Sequence, residues 1–421
     1  AIDMAEDRER FSALCSDLGI AQPPHGTATS LEDALGIIDE IGLPALVRPS
    51  YVLGGRAMRI IYSVEELSTY LADLYGAVPG GEVDLSDSPL LIDRFLESAI
   101  EVDVDAVYDG TDLYIGGIME HVEEAGVHSG DSACVVPAPT LTAVVIERVI
   151  TDTRKLAEGI GVRGLLNIQF AVRGDHVYVL EANPRASRTV PFISKATGVQ
   201  LAKVATRVMM GESLRSLQDA GVVPEETPKL PYRAVKEAVL PWKRFPSEDT
   251  VLGPEMRATG EVMGVGHRAG VAYAKALEAA GHEVPRSGSA FISLADRDKS
   301  HGVETARSLS EQGFRLFATH GTAGHLARHG IAATHVDKVG EGAYDPVKLV
   351  EEGRIDLIVN TPAGGKARGD GRLIRIAANR HAIPCVTTPD GGLAVAHSIA
   401  ARNDHEFSVS SIQQHHHDAG L

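Results

Sequence analysis

The sequence predicts a multidomain protein in which an α+β part is followed by an α/β part with a five-stranded parallel sheet. Two observations predict this order. Before residue 208, helical segments are mixed with hairpin signals, which favours antiparallel pairing. From residue 288 onward, apolar strands and amphipathic helices alternate strictly over about 130 residues, which is typical of a parallel sheet covered on both faces.

We therefore expect three regions. Residues 1–207 form the α+β module, and residues 288–421 form the α/β domain. Residues 208–287 are rich in proline and read as a connecting, partly helical region. A length of 421 residues agrees with this division, because domains average roughly 150 residues.

Helix signals open the first region. Residues 6–18 predict a helix, and the segments 30–33 and 63–66 each have capping-box spacing before an apolar run. A strand is expected at 44–49, and a glycine-containing loop follows at 50–56.

Strand patterns then dominate the first region. In Glu101–Ala106, acidic and apolar residues alternate, which predicts a strand with one buried face. Residues 120–137, with two histidines and several glycines, are expected to form a loop, and residues 141–160 a helix. Further strands are predicted at 89–96, 100–108, 112–119, 164–173 and 176–182.

The last region has the most regular pattern. Its strands are predicted at 289–294, 314–318, 331–336, 355–360 and 383–387. Its helices are predicted at 298–312, 321–329, 346–352, 371–380 and 391–401. The end of the chain, residues 413–417, contains three adjacent histidines. We interpret it as a frayed surface tail, with metal binding as the alternative.

Composition excludes several classes of function. The formal charge of −17 repels nucleic acid and anionic membranes, so neither is expected as a partner. No apolar run is long enough to span a bilayer. The three cysteines are widely spaced without a CxxC pair, which argues against a zinc site and favours a reducing, cytoplasmic compartment.

The strongest chemical feature is the segment Glu181–Arg185, which closes a predicted strand. Glu181 and Asn183 face the same way on a strand, and their oxygen atoms suit Mg²⁺ or Mn²⁺. Gln169 lies opposite Glu181 if paired residue numbers sum to 350, as we predict, whereas a sum of 349 would place it on the other face. The alternative is an ordinary polar strand end at a turn.

Arginines accompany this segment. Arg185 and Arg188 follow Pro184, which favours a first helical turn, and a helix N-terminus with arginines suits phosphate. Arg48 ends the strand before Gly54 and Gly55, whose backbone could close over phosphates as a lid. A Gly-Gly pair in a loop is more often present for turn geometry alone.

A second candidate anion site lies in the last region. The segments 319–322 and 360–361 end predicted strands, and residues 364–368 form a basic loop. Ligands bind at the carboxyl ends of strands in doubly wound sheets, where these segments lie. Ordinary strand-to-helix turns are the alternative.

Four segments together resemble one known family. They are residues 47–58, 116–121, 125–132 and 181–185, and they resemble the large chain of carbamoyl phosphate synthetase. The resemblance extends over essentially the whole chain. It implies an ATP-grasp module that makes carbamoyl phosphate, followed by a methylglyoxal-synthase-like regulatory domain. The chain begins at Ala1 without methionine, and we expect a fragment that lacks the first synthetase half.

The resemblance also implies roles for individual residues. The nucleotide contacts would be Arg48, Arg94, Leu96, Glu101, Gly126, Val127, His128, Ser129, Gln169 and Glu181. The ligands of Mg²⁺ or Mn²⁺ would be Gln169, Glu181 and Asn183, and the catalytic cations would be Arg185 and Arg188. A nucleoside monophosphate effector would contact Lys299, Thr319, Thr322, Lys338 and Asn360. The positions that match ornithine contacts are Glu123, Asp131, Glu237 and Thr387.

The implied activity is ATP-dependent phosphorylation of carbamate in arginine and pyrimidine biosynthesis. The implied partners are a small glutaminase subunit and the missing synthetase half, and we expect an oligomer. Three residues, Pro362, Gly365 and Cys385, depart from better-known relatives near the effector and ornithine positions. Two other hypotheses stay open: an inactive regulatory and assembly piece, and a relative of biotin carboxylase or amino-acid ligases.

Overall fold

The computed structural model describes residues 1–50, 57–75, 85, 89–342, 344–361, 366–404 and 407–421. The predicted lid glycines Gly54 and Gly55 lie outside the described residues. So do Gly364 and Gly365 of the basic loop, and Pro362 before it.

Two short helices open the chain where one was predicted over residues 6–18. They are α1 (Ile2–Glu6) and α2 (Arg8–Asp17). The interruption falls at Asp7, which has an extended backbone and caps α2 by accepting a hydrogen bond from the Arg10 amide at 3.0 Å. The side chain of Asp7 therefore starts a new helix in the middle of a helical pattern. Phe11 and Cys15 of α2 pack into the core beneath the main sheet.

The first lobe is a four-stranded antiparallel sheet with the strand order β1-β4-β2-β3. Its elements are β1 (His25–Ala28), α3 (Leu31–Ile41), β2 (Ala45–Pro49), β3 (Arg59–Ile61), α4 (Val64–Tyr75) and β4 (Leu90–Arg94). Ser30 caps α3 as its spacing predicts, accepting from the Asp33 amide at 3.1 Å. On β2, Ala45, Val47 and Pro49 are buried, so the alternate residue Arg48 faces away from the lobe's core.

The second layer is a seven-stranded antiparallel sheet with the order β11-β10-β7-β6-β5-β8-β9. Its first elements are β5 (Ile100–Tyr108), β6 (Leu113–Glu124), β7 (Cys134–Val136), α5 (Ala143–Ile160), β8 (Gly164–Arg173) and β9 (His176–Asn183). They are followed by α6 (Thr189–Thr197), α7 (Leu201–Met209), α8 (Leu214–Asp219), β10 (Arg233–Val239), β11 (Gly260–Gly266) and α9 (Ala269–Ala279). Antiparallel pairing in the first region is thus confirmed.

The expected loop at 120–137 is partly wrong. Residues 120–124 continue β6, so His121 is a strand residue, and residues 134–136 form β7. The polar side chains misled the prediction, because Glu120 and His121 are buried with partners and are not solvated. Residues 208–287 contribute β10 and β11 to the main sheet, and the domain boundaries at 207 and 287 stay predictions.

The last region is a five-stranded parallel sheet, as predicted, with the order β14-β13-β12-β15-β16. Its strands are β12 (Ser289–Ser293), β13 (Arg315–Thr319), β14 (Thr334–Val336), β15 (Leu357–Asn360) and β16 (Cys385–Val386). Its helices are α10 (Gly302–Glu311), α11 (His320–Arg328), α12 (Pro346–Glu351), α13 (Lys366–Arg380) and α14 (Pro389–Asp404). Two short 3₁₀ turns, Trp242–Arg244 and Asp296–Asp298, complete the connections.

The interpretation of the histidine-rich end as a frayed tail is wrong. It forms a final helix, α15 (Ile412–Ala419), which lies against α6. His416 Nε2 is 2.7 Å from the Lys195 carbonyl oxygen, an acceptor in the last turn of α6. The ring of His415 lies 5.7 Å from that of Tyr232. Contacts with a distant part of the chain hold the helix in place, and its local composition gave no sign of them.

Among the described residues, none of the helices has the length and apolarity to cross a bilayer.

Candidate active site and effector site

A cleft of about 380 Å³ lies between the first lobe and the seven-stranded sheet. Among the described residues predicted for nucleotide, metal or catalysis, only Arg188 does not line it. The predicted residues that do line it are Arg48, Arg94, Leu96, Glu101, Gly126, Val127, His128, Ser129, Gln169, Glu181, Asn183 and Arg185. Residues predicted from separate segments thus converge on one cavity.

The oxygen ligands lie at the end of the β8–β9 hairpin. Gln169 pairs directly with Glu181, as the register sum of 350 predicts, and Asn167 pairs with Asn183. After Gln169 a β-bulge shifts the register, so Phe170 pairs with Val179 and the sum becomes 349. Because of the bulge, the apolar pairs stay buried along the hairpin, while Gln169 and Glu181 both face the cleft.

These side chains form a short polar chain. The Asn183 amide nitrogen donates to Glu181 Oε1 at 2.8 Å, and the Asn183 amide oxygen accepts from Arg185 Nη2 at 2.9 Å. Carboxylate and amide oxygens at the mouth of a cleft are the donors that Mg²⁺ or Mn²⁺ prefers, so the residues present fit a hard divalent cation.

Arg188 lies just beyond this wall, at the N-cap position of α6. Burial lowers the pKa of His128, and the positive charge of Arg188 lowers it further. The Arg188 side chain is exposed, so of the two predicted catalytic arginines only Arg185 lines the cleft.

Glu101 supplies the acceptor at the other end of the cleft. Its Oε2 accepts from the Gly126 amide at 3.1 Å, and its Oε1 is 3.7 Å from His121 Nδ1. Burial raises the pKa of Glu101 to about 7, with the charge of His121 opposing the rise. The backbone of Gly126 has φ +99°, and a Cβ there would lie 2.6 Å from the Phe95 ring, so the close approach of these two turns needs glycine.

The alternating strand β5 corrects another expectation. Its acidic face is buried like its apolar face: Glu101, Asp103 and Asp105 are 3%, 1% and 0% exposed. Each carboxylate has a partner, so burial is tolerated. His121 Nε2 lies 3.1 Å from Asp103, and Ser187 Oγ donates to Asp105 at 2.7 Å. The acidic residues thus support the site from behind the cleft.

Asp105 supports the arginine-bearing loop in particular. It accepts from Ser187 and from Asn167 Nδ2, the latter at 3.0 Å, and Ser187 Oγ also accepts from the Val190 amide at 3.2 Å. The loop that carries Arg185 is therefore held at its far end. Burial raises the pKa of Asp105 to about 6, and the hydroxyl hydrogen bonds oppose this rise.

One group of side chains behind the cleft has metal-ligand character. Ligand-type atoms of Asp103, His121 and Cys134 lie within 4.8 Å of one another, and all three residues are buried. Burial alone would lower the pKa of His121, but Cys134, Glu101 and the hydrogen bond to Asp103 outweigh it and raise the pKa. The two ring nitrogens of His121 thus face the carboxyl groups of Glu101 and Asp103, at 3.7 and 3.1 Å.

A second acidic pair, the half-buried Glu123 and the buried Glu237, lies at two of the matched ornithine positions. Burial raises the pKa of Glu123 to about 7, and burial and the nearby Glu123 raise the pKa of Glu237. Lys236 beside them is 1% exposed and donates to the Ser132 carbonyl oxygen at 2.7 Å. Asp131 accepts from backbone amides of the proline-rich region, including that of Ala258 at 2.7 Å.

The effector residues gather at the carboxyl ends of the parallel strands. Lys299 follows β12, Thr319 ends β13, and Asn360 ends β15, beside the switch between the first and fourth strands of this sheet. Lys338 follows β14 and is exposed.

Thr322 and Asn360 are the buried members of this set, and both side chains form hydrogen bonds within the protein. Thr322 is 1% exposed, and its hydroxyl oxygen accepts from the Leu294 amide at 3.1 Å. Asn360 Oδ1 accepts from Arg375 at 2.7 Å, and Arg375 also donates to Asp249. These two residues can fix the positions of the backbone and side chains that surround a ligand.

Sequence reasoning missed part of the cleft. Glu6 and Arg8 from the first helices, Phe95, and Pro254 from the proline-rich region also line it. Arg8 forms an ion pair with Asp93 across the rim. These residues come from separate segments of the chain, and no local pattern in the sequence could have identified them.

Comparison with known proteins agrees with this geometry. The family described as carbamoyl-phosphate synthase L chain, ATP binding domain, matches residues 7–217, and the MGS-like domain family matches residues 301–387. Carbamoyl phosphate synthase large chains from Pseudarthrobacter chlorophenolicus and Archaeoglobus fulgidus are 52% and 50% identical, over 99% and 100% of this chain. The chain spans 38% of the length of each of these relatives.

A solved structure shares the architecture of the first part. The biotin carboxylase domain of the 2-oxoglutarate carboxylase from Hydrogenobacter thermophilus has a TM-score of 0.50 and 19% identity, with 66% of each chain covered. This likeness shows the fold alone and agrees with the expected ATP-grasp architecture. The chain belongs to the family of carbamoyl phosphate synthase large chains and corresponds to a C-terminal half, with an ATP-grasp module followed by a methylglyoxal-synthase-like domain.

Proposed function

We propose that this chain phosphorylates carbamate with ATP to form carbamoyl phosphate, as one step of glutamine-dependent carbamoyl phosphate synthesis. The observation that carries the proposal is the cleft, which brings together Arg48, Arg185, the Gln169–Glu181 pair and Glu101. Cations and hard oxygen ligands at one end, with a buried carboxylate at the other, suit a nucleoside triphosphate.

The nucleotide would lie along this cleft. Glu101 would accept hydrogen bonds from the ribose hydroxyls, while Leu96 and Val127 would contact the base. Arg48 would hold the phosphates, and the other contacts proposed are Arg94, Gly126, His128 and Ser129. The solved carboxylase domain is a complex with an ADP–magnesium salt and bicarbonate, which supports a nucleotide in this type of fold.

Gln169, Glu181 and Asn183 would hold one or more Mg²⁺ or Mn²⁺ ions. Such a cation, when bound, neutralises charge on the nucleotide phosphates. The Asn183 oxygen now accepts from Arg185, so Asn183 would exchange this hydrogen bond for the metal.

The arginines would stabilise the negative charge on the phosphoryl group during its transfer. A carbamate oxygen forms the new bond to the γ-phosphorus, the bond to the β–γ bridging oxygen breaks, and ADP leaves. Negative charge spreads over the transferred oxygens, and Arg185 and Arg188 would stabilise it. Positioning and charge suffice for phosphoryl transfer, so no nucleophilic side chain is needed.

The wider assignments belong to the same proposal. The remainder of the large chain and a small glutaminase subunit would supply carbamate and ammonia, for arginine and pyrimidine biosynthesis, in an oligomer. A nucleoside monophosphate would bind at Lys299, Thr319, Thr322, Lys338 and Asn360. The surrounding strand order supports a ligand there.

The reverse reaction tests the activity. The chain is incubated with carbamoyl phosphate, ADP and Mg²⁺, and ATP is measured with luciferase. ATP formation supports the proposal. Nucleotide binding without ATP formation, both alone and with the rest of the large chain, would favour the regulatory-piece hypothesis. ATP hydrolysis that depends on bicarbonate alone would favour a biotin-carboxylase-like reaction.

A further inference from the structure

An arginine of the C-terminal domain reaches the wall of the nucleotide cleft. Arg297 belongs to the 3₁₀ turn Asp296–Asp298 that follows β12. Its Nη1 is 2.5 Å from Glu97 Oε1, and its Nη2 is 3.9 Å from Glu124 Oε2. Its Nε is 3.5 Å from the neighbouring Asp298. One guanidinium therefore contacts carboxylates of two separate segments in the ATP-grasp module.

Those two segments are adjacent turns of the cleft wall. Glu97 belongs to the turn between β4 and β5, directly after Leu96, which lines the cleft. Glu124 ends β6, and the next five residues, 125–129, line the cleft as well. Moving either carboxylate moves backbone that faces the nucleotide site.

The two turns are also bound to each other. The Ser98 amide donates to Glu124 Oε1 at 3.1 Å, and the Ala125 amide donates to the Ala99 carbonyl oxygen at 3.2 Å. Ser98 has φ +57°, an uncommon backbone conformation for a residue with a side chain. Such a conformation persists where surrounding contacts hold it. Glu124 therefore links Ser98 to Arg297.

Charge balance makes Arg297 hard to replace at this junction. Glu97, Glu124 and Asp298 each form an ion pair with it, and Tyr62 of the first lobe interacts with it through its hydroxyl. Without Arg297, the carboxylates would repel one another across the interface.

The same 3₁₀ turn borders the effector residues. Lys299 is the residue directly after the turn, and it forms an ion pair with Asp296. A Cβ on Gly321, in the first turn of α11, would lie 2.9 Å from Lys299 Nζ. A ligand phosphate held by Lys299 would therefore act on the segment that positions Arg297.

We propose that Arg297 is a positioning residue that joins the two turns of the cleft wall and couples nucleotide affinity to ligand binding beside Lys299. The identity of the two ligands rests on the proposed function. The mechanical part does not, because it concerns contacts between the two turns. An exposed ion pair would contribute little by itself, and the Arg297 side chain is 31% exposed. Its contact with both turns is what distinguishes it.

Hydrogen exchange in the nucleotide-free protein tests the mechanical part. Arg297→Ala should speed exchange by roughly tenfold in peptides covering residues 96–101 and 123–128, because the Ser98 and Ala125 amides lose support. Arg297→Lys should speed exchange less, because lysine keeps the positive charge but lacks the planar guanidinium that contacts both carboxylates at once. Arg307→Ala, at an exposed arginine of α10, is the matched control and should change neither peptide.

Calorimetry with MgADP tests the coupling. Arg297→Ala should raise the Kd by about three- to tenfold, within the range for coupling residues. AMP, GMP, CMP and UMP are added in turn to the wild type. At least one should shift the MgADP Kd, and the shift should vanish in Arg297→Ala.

The outcomes separate the two proposals. Unchanged exchange in Arg297→Ala would overturn the positioning role, whatever the nucleotide results. Suppose instead that Arg297→Ala exchanges faster but the wild type binds no MgADP. This result would overturn the proposed function and leave the positioning role intact. A wild type that binds MgADP but responds to none of the four monophosphates would overturn the coupling.

Discussion

Replacing Glu181 by glutamine removes one negative charge from the mouth of the cleft and changes almost nothing else. The side chain is exposed, and it accepts a hydrogen bond from the Asn183 amide at 2.8 Å, which a glutamine oxygen can also accept. We therefore expect the free energy of unfolding to change by less than about 0.5 kcal/mol, as for most surface substitutions.

Catalysis should respond very differently. Glu181 is the only charged residue among the three proposed ligands Gln169, Glu181 and Asn183. Loss of its negative charge therefore removes the main electrostatic attraction that these ligands exert on the cation. Losing one preorganised group at a site of developing charge costs about 3–4 kcal/mol, so ATP formation should fall by roughly 10²–10³-fold.

The assay follows ATP formation from carbamoyl phosphate and ADP at increasing Mg²⁺ and then Mn²⁺. Thermal unfolding is recorded in parallel. Glu147→Gln on the exposed face of α5 is the matched control and should behave like the wild type. Mn²⁺ binding in the presence of ADP, followed by electron paramagnetic resonance, gives a readout independent of turnover. A Glu181→Gln protein with more than a tenth of wild-type activity at saturating metal would refute the metal assignment.

Three further predictions concern binding and stability. Burial raises the pKa of Glu101 and favours its protonated form in the folded state, so its contribution to stability falls as pH rises from the unfolded value near 4.5 through about 7, whereas ADP affinity should increase as Glu101 ionises. Glu101→Gln should make both profiles shallower in denaturation and calorimetry, and the slope of stability that remains comes from other buried carboxyl groups such as Asp105. Gly126→Ala should weaken ADP binding more than about tenfold through collision with Phe95, and unchanged affinity would contradict the tight turn. Thr322→Ala should lower the free energy of unfolding by about 1–3 kcal/mol, because it leaves the Leu294 amide unpaired, and it should weaken monophosphate binding without affecting ATP formation. Thr322→Ser should restore both stability and monophosphate binding, and an unchanged melting temperature in Thr322→Ala would contradict the argument.

Much of the architecture was predictable because the signals are local. The alternation of strands and helices after residue 288 determines a parallel sheet without any long-range information. The pairing of Gln169 with Glu181 followed from the polar character that both residues share, whereas the turn at residues 174–175 alone gives paired numbers that sum to 349. The β-bulge beside it did not, since it resolves a conflict between a polar site and an apolar hairpin that appears only when both pack.

Other features depend on distant residues. Acidic positions of β5 read as solvent-facing by pattern, yet His121, Ser187 and the Gly126 amide cover them. The helix α15 is held by contacts with the Lys195 carbonyl oxygen and Tyr232, both of which lie far earlier in the chain. Tertiary partners override local propensity in each case, and they cannot be inferred from one sequence.

The central claim is that the cleft transfers a phosphoryl group between carbamate and a nucleotide. Phosphorus nuclear magnetic resonance tests it most directly, on the wild-type chain with carbamoyl phosphate, ADP and Mg²⁺. Our account predicts that the three ATP resonances grow as the carbamoyl phosphate resonance declines, and that Glu181→Gln suppresses this exchange. Conversion of carbamoyl phosphate to inorganic phosphate alone, with ADP unchanged both for the isolated chain and after addition of the rest of the large chain, would contradict it.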